Sequence, residues 1–283
     1  MKLSQVRIAI ALAVVIATSS GCGVINRIRA KNELNEAART YREGLFVEAE
    51  QHARKAQELD PNNKTAPLFI ARTVHAQYRT GVNTPENIAK AREAIEAYRR
   101  ILESDATNEE AYKAIAFLYE KIKEDDKLRD WIIARANDGR VEPDKRAEAY
   151  IVLASKDWNC SFQITDLPTN KITTVTNGKA VVSYRKPKDQ KDFETAQMCV
   201  KRGLEEVENA IKFDSNSEAA WSYKTNLLLE AAKLAEMDGK MDQKAELDKQ
   251  REQAQKRTTE LSEANKKKQA EEEAKKAASP PTS

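Results

Sequence analysis

The stretch from Leu34 to Pro61 limits what this chain can fold into more than any other, because its pattern predicts two short amphipathic helices joined by a tight turn. Ala49, Ala53 and Ala56 fall on one stripe of the second helix, where small side chains let a neighbouring helix approach closely. Gly44 supplies the turn, because glycine adopts backbone conformations that other residues resist. Two such helices cannot bury their apolar faces alone, so further helices must stack against them.

The small and aromatic residues of this stretch resemble the signature of the tetratricopeptide repeat, a family of stacked helix-turn-helix units. Counted from Ala30 as the first position, the matching residues are Ala37, Gly44, Phe46, Ala49, Ala56 and Pro61. Glu33 stands where the family has a large aromatic residue, as expected of a terminal capping repeat. The resemblance implies an all-α fold, a tetratricopeptide-like α-solenoid. The composition also favours stacked helices over a sheet-built enzyme core, because charged residues make up 33% of the chain and aromatic residues only 6%.

The repeats are predicted to cover residues 22–156 and to continue over residues 192–240, where apolar residues recur at spacings of three and four. We expect Thr65 to cap the third helix at its N-terminus. Thr107 with Glu110, and Ser215 with Glu218, have the spacing of capping boxes for two later helices.

Residues 157–191 interrupt the repeats, because helical signals are few and β-branched residues are many. Asn177-Gly178 between two such runs is typical of a two-residue β-hairpin turn. The implied register places five side chains on one face: Thr173, Val175, Ala180, Val182 and Tyr184.

Cys160 and Cys199 bracket this insertion. In an oxidising compartment we expect them to form a disulfide, worth roughly 3 to 4 kcal/mol on the loop-entropy estimate. The alternative is a pair of reactive thiols, although no histidine lies nearby to activate them.

Residues 1–21 have the form of an export signal, with Lys2 and Arg7 followed by a short apolar run. Ser20 and Gly21 then precede Cys22, a pattern that resembles a bacterial lipobox, whose cysteine is lipid-modified and becomes the new N-terminus. An ordinary signal peptide with an incidental cysteine is the alternative. Because Gly23 is not the aspartate that marks inner-membrane retention in enteric bacteria, the resemblance implies an outer-membrane anchor facing the periplasm.

Residues 241–283 form a charged tail, predicted to be a solvated helix that ends in the disordered segment Ser279–Ser283. Leu247 and Leu261 are too few for a stable coiled-coil seam. We therefore favour a polar capping helix over a coiled coil or a segment that contacts the cell wall.

The sequence offers little chemistry for catalysis. His52 and His75 are its only histidines, no metal-ligand spacing or nucleotide-binding loop is present, and paired carboxylates belong to a surface rich in both charges. We expect no cofactor, no metal, no small-molecule substrate and no enzymatic activity. The net charge of +3 lacks a concentrated basic face, which disfavours nucleic-acid binding.

The tetratricopeptide resemblance implies a concave groove lined by the first helix of each repeat, which binds extended peptides or partner helices. The corresponding residues are Leu34, Ala38, Tyr41, Arg42, Leu68, Arg72, His75, Lys113, Phe117 and Glu120. Their aromatic and basic character favours an acidic or C-terminal segment. The alternative is an ordinary solvated helix face.

Three functional hypotheses follow from these patterns. The first is a lipid-anchored scaffold or adaptor that binds proteins at the bacterial cell envelope. The second is a structural spacer whose charged tail contacts the cell wall, and the third is an envelope enzyme that depends on free thiols.

Overall fold

The computed structural model describes residues 23–176 and 178–278. The expected export signal, Cys22, Asn177 and the Ser279–Ser283 tail lie outside the described residues. The chain divides into two compact units, Met1–Leu128 (unit 1) and Arg129–Ser283 (unit 2).

Unit 1 consists of antiparallel helix hairpins. Its helices are α1 (residues 23–42), α2 (Phe46–Leu59), α3 (Ala66–Gln77), α4 (Pro85–Ser104) and α5 (Glu109–Lys121), followed by α6 (Asp125–Asn137), within which the division between the units falls. Gly44 has φ +80° in the α1–α2 turn, where the Leu45 amide donates to the Thr40 carbonyl. The predicted stripe of Ala49, Ala53 and Ala56 is fully buried, which confirms the close helix packing.

Three helix starts differ from the predicted caps. At the start of α3 the Asn63 side chain, and not that of Thr65, accepts hydrogen bonds from the Thr65 and Ala66 amides. Asn108 caps α5, because its side-chain oxygen accepts from the Ala111 amide at 3.0 Å. Ser217 caps α9 (Glu218–Met237) by accepting from the Ala220 amide at 3.3 Å. The predicted Thr107–Glu110 and Ser215–Glu218 capping boxes are therefore wrong.

One loop geometry explains all three shifts. In each loop an aspartate ends the preceding helix, and its carbonyl accepts from the amide three residues later, which belongs to the capping residue. The aspartate-to-cap pairs are Asp60 to Asn63, Asp105 to Asn108 and Asp214 to Ser217. This turn fixes the next cap three residues after the aspartate, and short Asn and Ser side chains serve well there.

Unit 2 is built on a pair of long antiparallel helices with a β-hairpin between them. Its elements are α7 (Pro143–Thr165), a 3₁₀ turn (Pro168–Asn170), β1 (Lys171–Thr176), β2 (Lys179–Tyr184), α8 (Gln190–Phe213), α9 and α10 (Met241–Ala278). The strands pair antiparallel with Thr173 opposite Val182 and Val175 opposite Ala180, which confirms the predicted register. Gly178 has φ +74°, as a primed hairpin turn requires.

Helix α7 continues through residues 157–165, where the sequence pattern predicts the start of the insertion. Trp158 and Phe162 stack on one another in this segment, with ring centroids 5.2 Å apart. The hydroxyls of Ser161 and Thr165 both donate to the Glu230 carboxylate of α9. The hydrogen bonds to α9 hold the segment helical despite its weak local signal.

Cys160 and Cys199 form a disulfide between α7 and α8, with Cα atoms 6.1 Å apart. The predicted pairing is confirmed. Because α7 is longer than expected, the bridge joins the two helices and not the base of the hairpin.

Unit 2 also buries two groups of charges. Glu230 and Lys233 are only 1% and 5% exposed, and the Lys233 ammonium lies 2.6 Å from a Glu230 oxygen. Asp157, also buried, receives hydrogen bonds from Arg129 and Arg202.

The polar helix α10 packs along α9. Ala254 and Leu261 are buried, and Asn265 donates to Glu218 at 3.0 Å. No helix in the described part of the chain is both long and apolar enough to span a bilayer.

Candidate protein-binding surface

Aromatic side chains from the first helices of consecutive hairpins meet on one surface of unit 1. Tyr41 of α1 contacts Phe69 of α3, with ring centroids 6.0 Å apart in an edge-on arrangement. Tyr41 also contacts Phe46 at the start of α2, at 5.2 Å. The α1–α2 turn and the start of α3 therefore hold this tyrosine in place.

The surface continues from α3 to α5. The His75 ring lies 5.8 Å from the Phe117 ring and 5.9 Å from the Tyr98 ring. Phe117 is 41% exposed, and the Lys121 ammonium lies over its ring at 5.1 Å. We call Tyr41, Phe69, His75 and Phe117 together the aromatic row.

Arg72 lies beside the aromatic row and is already paired. Its guanidinium donates to both carboxylate oxygens of Glu110, at the start of α5. Hydrogen bonding to Glu110 raises the pKa of Arg72, and hydrogen bonding to Arg72 lowers the pKa of Glu110. Both side chains are about two-fifths exposed, so the pair adds little stability and solvent or a ligand can compete for either member.

The histidine of the row is held neutral. Burial lowers the pKa of His75 below its ordinary value of 6.5 and raises that of Tyr98, whose hydroxyl lies 3.4 Å from His75 Nδ1. Near neutral pH the row therefore presents uncharged rings, with charge confined to its margins.

The other predicted groove residues are not all part of this surface. Leu34 packs against the buried cluster of Ala30, Ala56 and Ala66, so its role is structural. Leu68 lines a cavity of about 570 Å³ together with side chains of α2 and α4. Arg42, Lys113 and Glu120 are exposed, while Ala38 is half-buried.

Sequence reasoning missed Phe69, Glu110 and Lys121. Phe69 directly follows Leu68. Assigning the groove face of α3 one residue further along the chain would have included it. Glu110 was assigned to a capping box, although it lies in the first turn of α5, where its carboxylate meets Arg72. Lys121 lies four residues after Phe117, one helical turn away, which is a detectable spacing.

The described residues offer little for metal or redox chemistry. Across residues 23–176 and 178–278, no three His, Cys, Asp or Glu side chains lie close enough together to share a metal ion. His52, the second histidine, contacts Glu33 at 2.6 Å, and Lys55 binds the same carboxylate. Hydrogen bonds from His52 and Lys55 lower the pKa of Glu33.

The antiparallel hairpins, buried alanine stripes and adjacent first helices define a tetratricopeptide-like all-α fold, as the sequence predicted. No protein-family model matches the chain, and no curated protein matches it.

Solved structures similar to this chain include three bacterial proteins. MamA from Desulfovibrio magneticus RS-1 has 13% identity and a TM-score of 0.35, over 81% of this chain and 96% of that chain. PilF of Pseudomonas aeruginosa has 14% identity and a TM-score of 0.34, over 86% and 99%. A tetratricopeptide repeat protein from Parabacteroides merdae ATCC 43184 has 13% identity and a TM-score of 0.34, over 82% and 97%. These similarities are too distant to inform function.

Proposed function

We propose that this protein is a lipid-anchored scaffold of the bacterial cell envelope, which binds an extended segment of a partner protein along unit 1. The aromatic row is the observation that supports this function. Its ring contacts join α1 to α3 through Tyr41 and Phe69, and α3 to α5 through His75 and Phe117, and Phe117 remains 41% exposed. Exposed aromatic rings beside charged side chains are typical of protein-binding surfaces.

The chemistry of the row defines the kind of partner. Neutral rings favour an apolar or aromatic anchor residue, which would pack on Phe117 and exclude water from it. A carboxylate of the partner would compete with Glu110 for Arg72, which keeps an acidic segment as the preferred ligand. The exposed cations Arg42 and Lys113 add to this preference.

Export and anchoring are part of the proposal. The apolar leader and Ser20-Gly21-Cys22 support lipid attachment at Cys22, with the outer membrane, facing the periplasm, as the destination. Helix α1 is already formed at residue 23, so almost no linker would separate the anchor from the repeats. The Cys160–Cys199 disulfide suits an oxidising compartment. We propose no catalytic role, because both of these sulfurs are bonded to each other.

Helix α10 is assigned a structural role in this proposal. Its contacts with α9, through Ala254, Leu261 and Asn265, cover the end of the array as a capping helix does. A wall-contacting spacer remains the competing function, and it would depend on the exposed residues 266–275.

The test is chemical cross-linking of the membrane-bound protein in its native envelope. Phe117→Ala removes the exposed ring of the row, and Leu229→Ala is the matched control, because Leu229 is 39% exposed and lies on α9 of unit 2. We expect one dominant partner with wild type and Leu229→Ala, and its loss with Phe117→Ala.

Two outcomes would contradict the proposal. An unchanged set of cross-linked proteins in all three samples would exclude the aromatic row as the binding surface. The spacer would be supported if the protein sediments with isolated cell wall, if deletion of residues 266–283 abolishes this sedimentation, and if Phe117→Ala does not reduce it.

A further inference from the structure

The first two turns of α1 carry an aliphatic face that nothing in the described chain covers. Val24, Ile25 and Ile28 are 57%, 51% and 58% exposed. At 3.6 residues per turn the three side chains fall within an arc of about 100°. Ala30 and Ala37, both fully buried, lie on the opposite side of the helix, where α1 packs into its hairpin. The aliphatic face therefore points away from the repeat.

Three cations flank this aliphatic face. Arg27, Arg29 and Lys31 are exposed, and no acidic residue occurs between residues 23 and 32. On the helical wheel Arg27 and Lys31 border one side of the aliphatic arc and Arg29 borders the other. An apolar face between basic side chains is the pattern of helices that lie in the interface of an anionic bilayer.

We infer that residues 24–31 of α1 form a second membrane contact, embedded in the headgroup region of an anionic phospholipid bilayer. Val24, Ile25 and Ile28 face the acyl chains, and Arg27, Arg29 and Lys31 bind lipid phosphates. The inference rests on the anchoring proposed above, because a lipid at Cys22 would bring Gly23 to the bilayer surface. The contact fixes the orientation of unit 1 on the membrane, since attachment through Cys22 alone would leave the unit free to rotate.

Charge and position favour lipid over protein as the occupant of this face. The cluster of cations complements anionic headgroups, and the segment directly follows the apolar run and Cys22 in the chain.

The experiment places an environment-sensitive fluorophore on single cysteines of the full, lipidated protein in phosphatidylglycerol-containing vesicles. The test positions are Val24→Cys and Ile28→Cys. Val47→Cys is the matched control, because Val47 is a valine with 57% exposure near the other end of α1. That end lies about 27 Å from Val24 along the helix. The disulfide occupies the other two cysteines of the described chain.

At positions 24 and 28 we expect the fluorophore to be quenched by lipid-borne nitroxide and to be protected from aqueous iodide. At position 47 we expect iodide to quench the fluorophore and nitroxide to have no effect. Replacing Arg27, Arg29 and Lys31 by glutamine should restore iodide quenching at position 28. Equal iodide quenching at all three positions on membrane-bound protein would overturn the inference. Nitroxide quenching at position 47 would also overturn it, because the whole hairpin would then lie on the bilayer.

Failure of the anchoring is distinguishable from failure of the inference. Wild-type protein with no added cysteine should take up no label, because a lipid-modified Cys22 has no free thiol. Labelling of the wild type would contradict the anchor itself. Partner capture by the aromatic row is measured separately, through Phe117→Ala.

Discussion

The buried Glu230–Lys233 pair should be among the costliest sites to break in unit 2. Glu230 accepts hydrogen bonds from Ser161 at 3.0 Å, from Thr165 at 2.6 Å and from Lys233 at 2.6 Å. Replacing Glu230 by leucine leaves the Lys233 ammonium buried with no counter-charge. Removing one member of a buried ion pair costs about 3–5 kcal/mol, a large share of the roughly 5–15 kcal/mol by which domains are stable.

The partner substitution should cost less. After Lys233→Met the Glu230 carboxylate keeps both hydroxyl donors, so part of its desolvation is still offset. The double variant Glu230→Leu with Lys233→Met removes both charges, and it should recover most of the loss because apolar replacements of buried pairs are often neutral or stabilising. The predicted order of stability is wild type and double variant first, Lys233→Met next, and Glu230→Leu last.

Urea unfolding followed by tryptophan fluorescence measures this order. The three tryptophans, Trp131, Trp158 and Trp221, all lie in unit 2, so the signal reports that unit alone. If Glu230→Leu lowers the free energy of unfolding by less than about 1 kcal/mol, the range of exposed ion pairs, the pair is not behaving as a buried one and the prediction is wrong. A double variant no more stable than Glu230→Leu would refute it as well, since hydroxyl loss or packing would then dominate.

Three further predictions concern packing, the disulfide and pH. Gly203→Ala should destabilise unit 2 by about 1 kcal/mol in the same urea assay, because the added Cβ would lie 2.6 Å from Leu227 and crowding outweighs the gain in helix propensity. Gly139→Ala is its control and should be nearly neutral, since nothing lies within 4 Å of the added atom. Reducing the α7–α8 disulfide should lower the free energy of unfolding by about 4 kcal/mol on the loop-entropy estimate, and equal urea midpoints with and without reductant would contradict this. Because burial lowers the pKa of His75, the unfolded chain binds more protons between that value and 6.5, so the stability of unit 1 should fall as pH drops through this window. Thermal unfolding followed by tyrosine near-UV circular dichroism tests this, because five of the eight tyrosines lie in unit 1. A His75→Gln variant with the same pH dependence would exclude His75 as the cause.

Local patterns were enough to predict most of the fold. Gly44 and the stripe of Ala49, Ala53 and Ala56 specify one hairpin through turn conformation and side-chain size, both properties of neighbouring residues. Asn177-Gly178 between β-branched runs fixed the strand register for the same reason. The cysteine pairing followed from an even count of the cysteines that remain after the expected export signal.

Features that depend on tertiary contact could not be predicted in the same way. Residues 157–165 are helical because Glu230, far along the chain, accepts hydrogen bonds from two of their hydroxyls. The caps at Asn63, Asn108 and Ser217 were missed for a different reason, because each follows a short turn in which an aspartate carbonyl accepts from the amide three residues later, a local hydrogen bond that residue spacing alone did not identify.

The binding surface was predicted only in part because it too depends on tertiary contact. Tyr41, Arg72, His75 and Phe117 are brought together, yet the pairing of Arg72 with Glu110 depends on how α3 packs against α5. The repeat pattern identifies which helix face is available, whereas the packing decides which of its charges are already satisfied.

The most direct test of the proposed scaffold is site-specific photo-cross-linking in living cells, with a photoreactive amino acid at position 117 and, in a second strain, at position 229. We expect a discrete protein adduct at position 117, on the aromatic row, and no such adduct at position 229, on α9 of unit 2. Absence of any adduct at position 117, or the same adducts at both positions, would contradict the proposed scaffold.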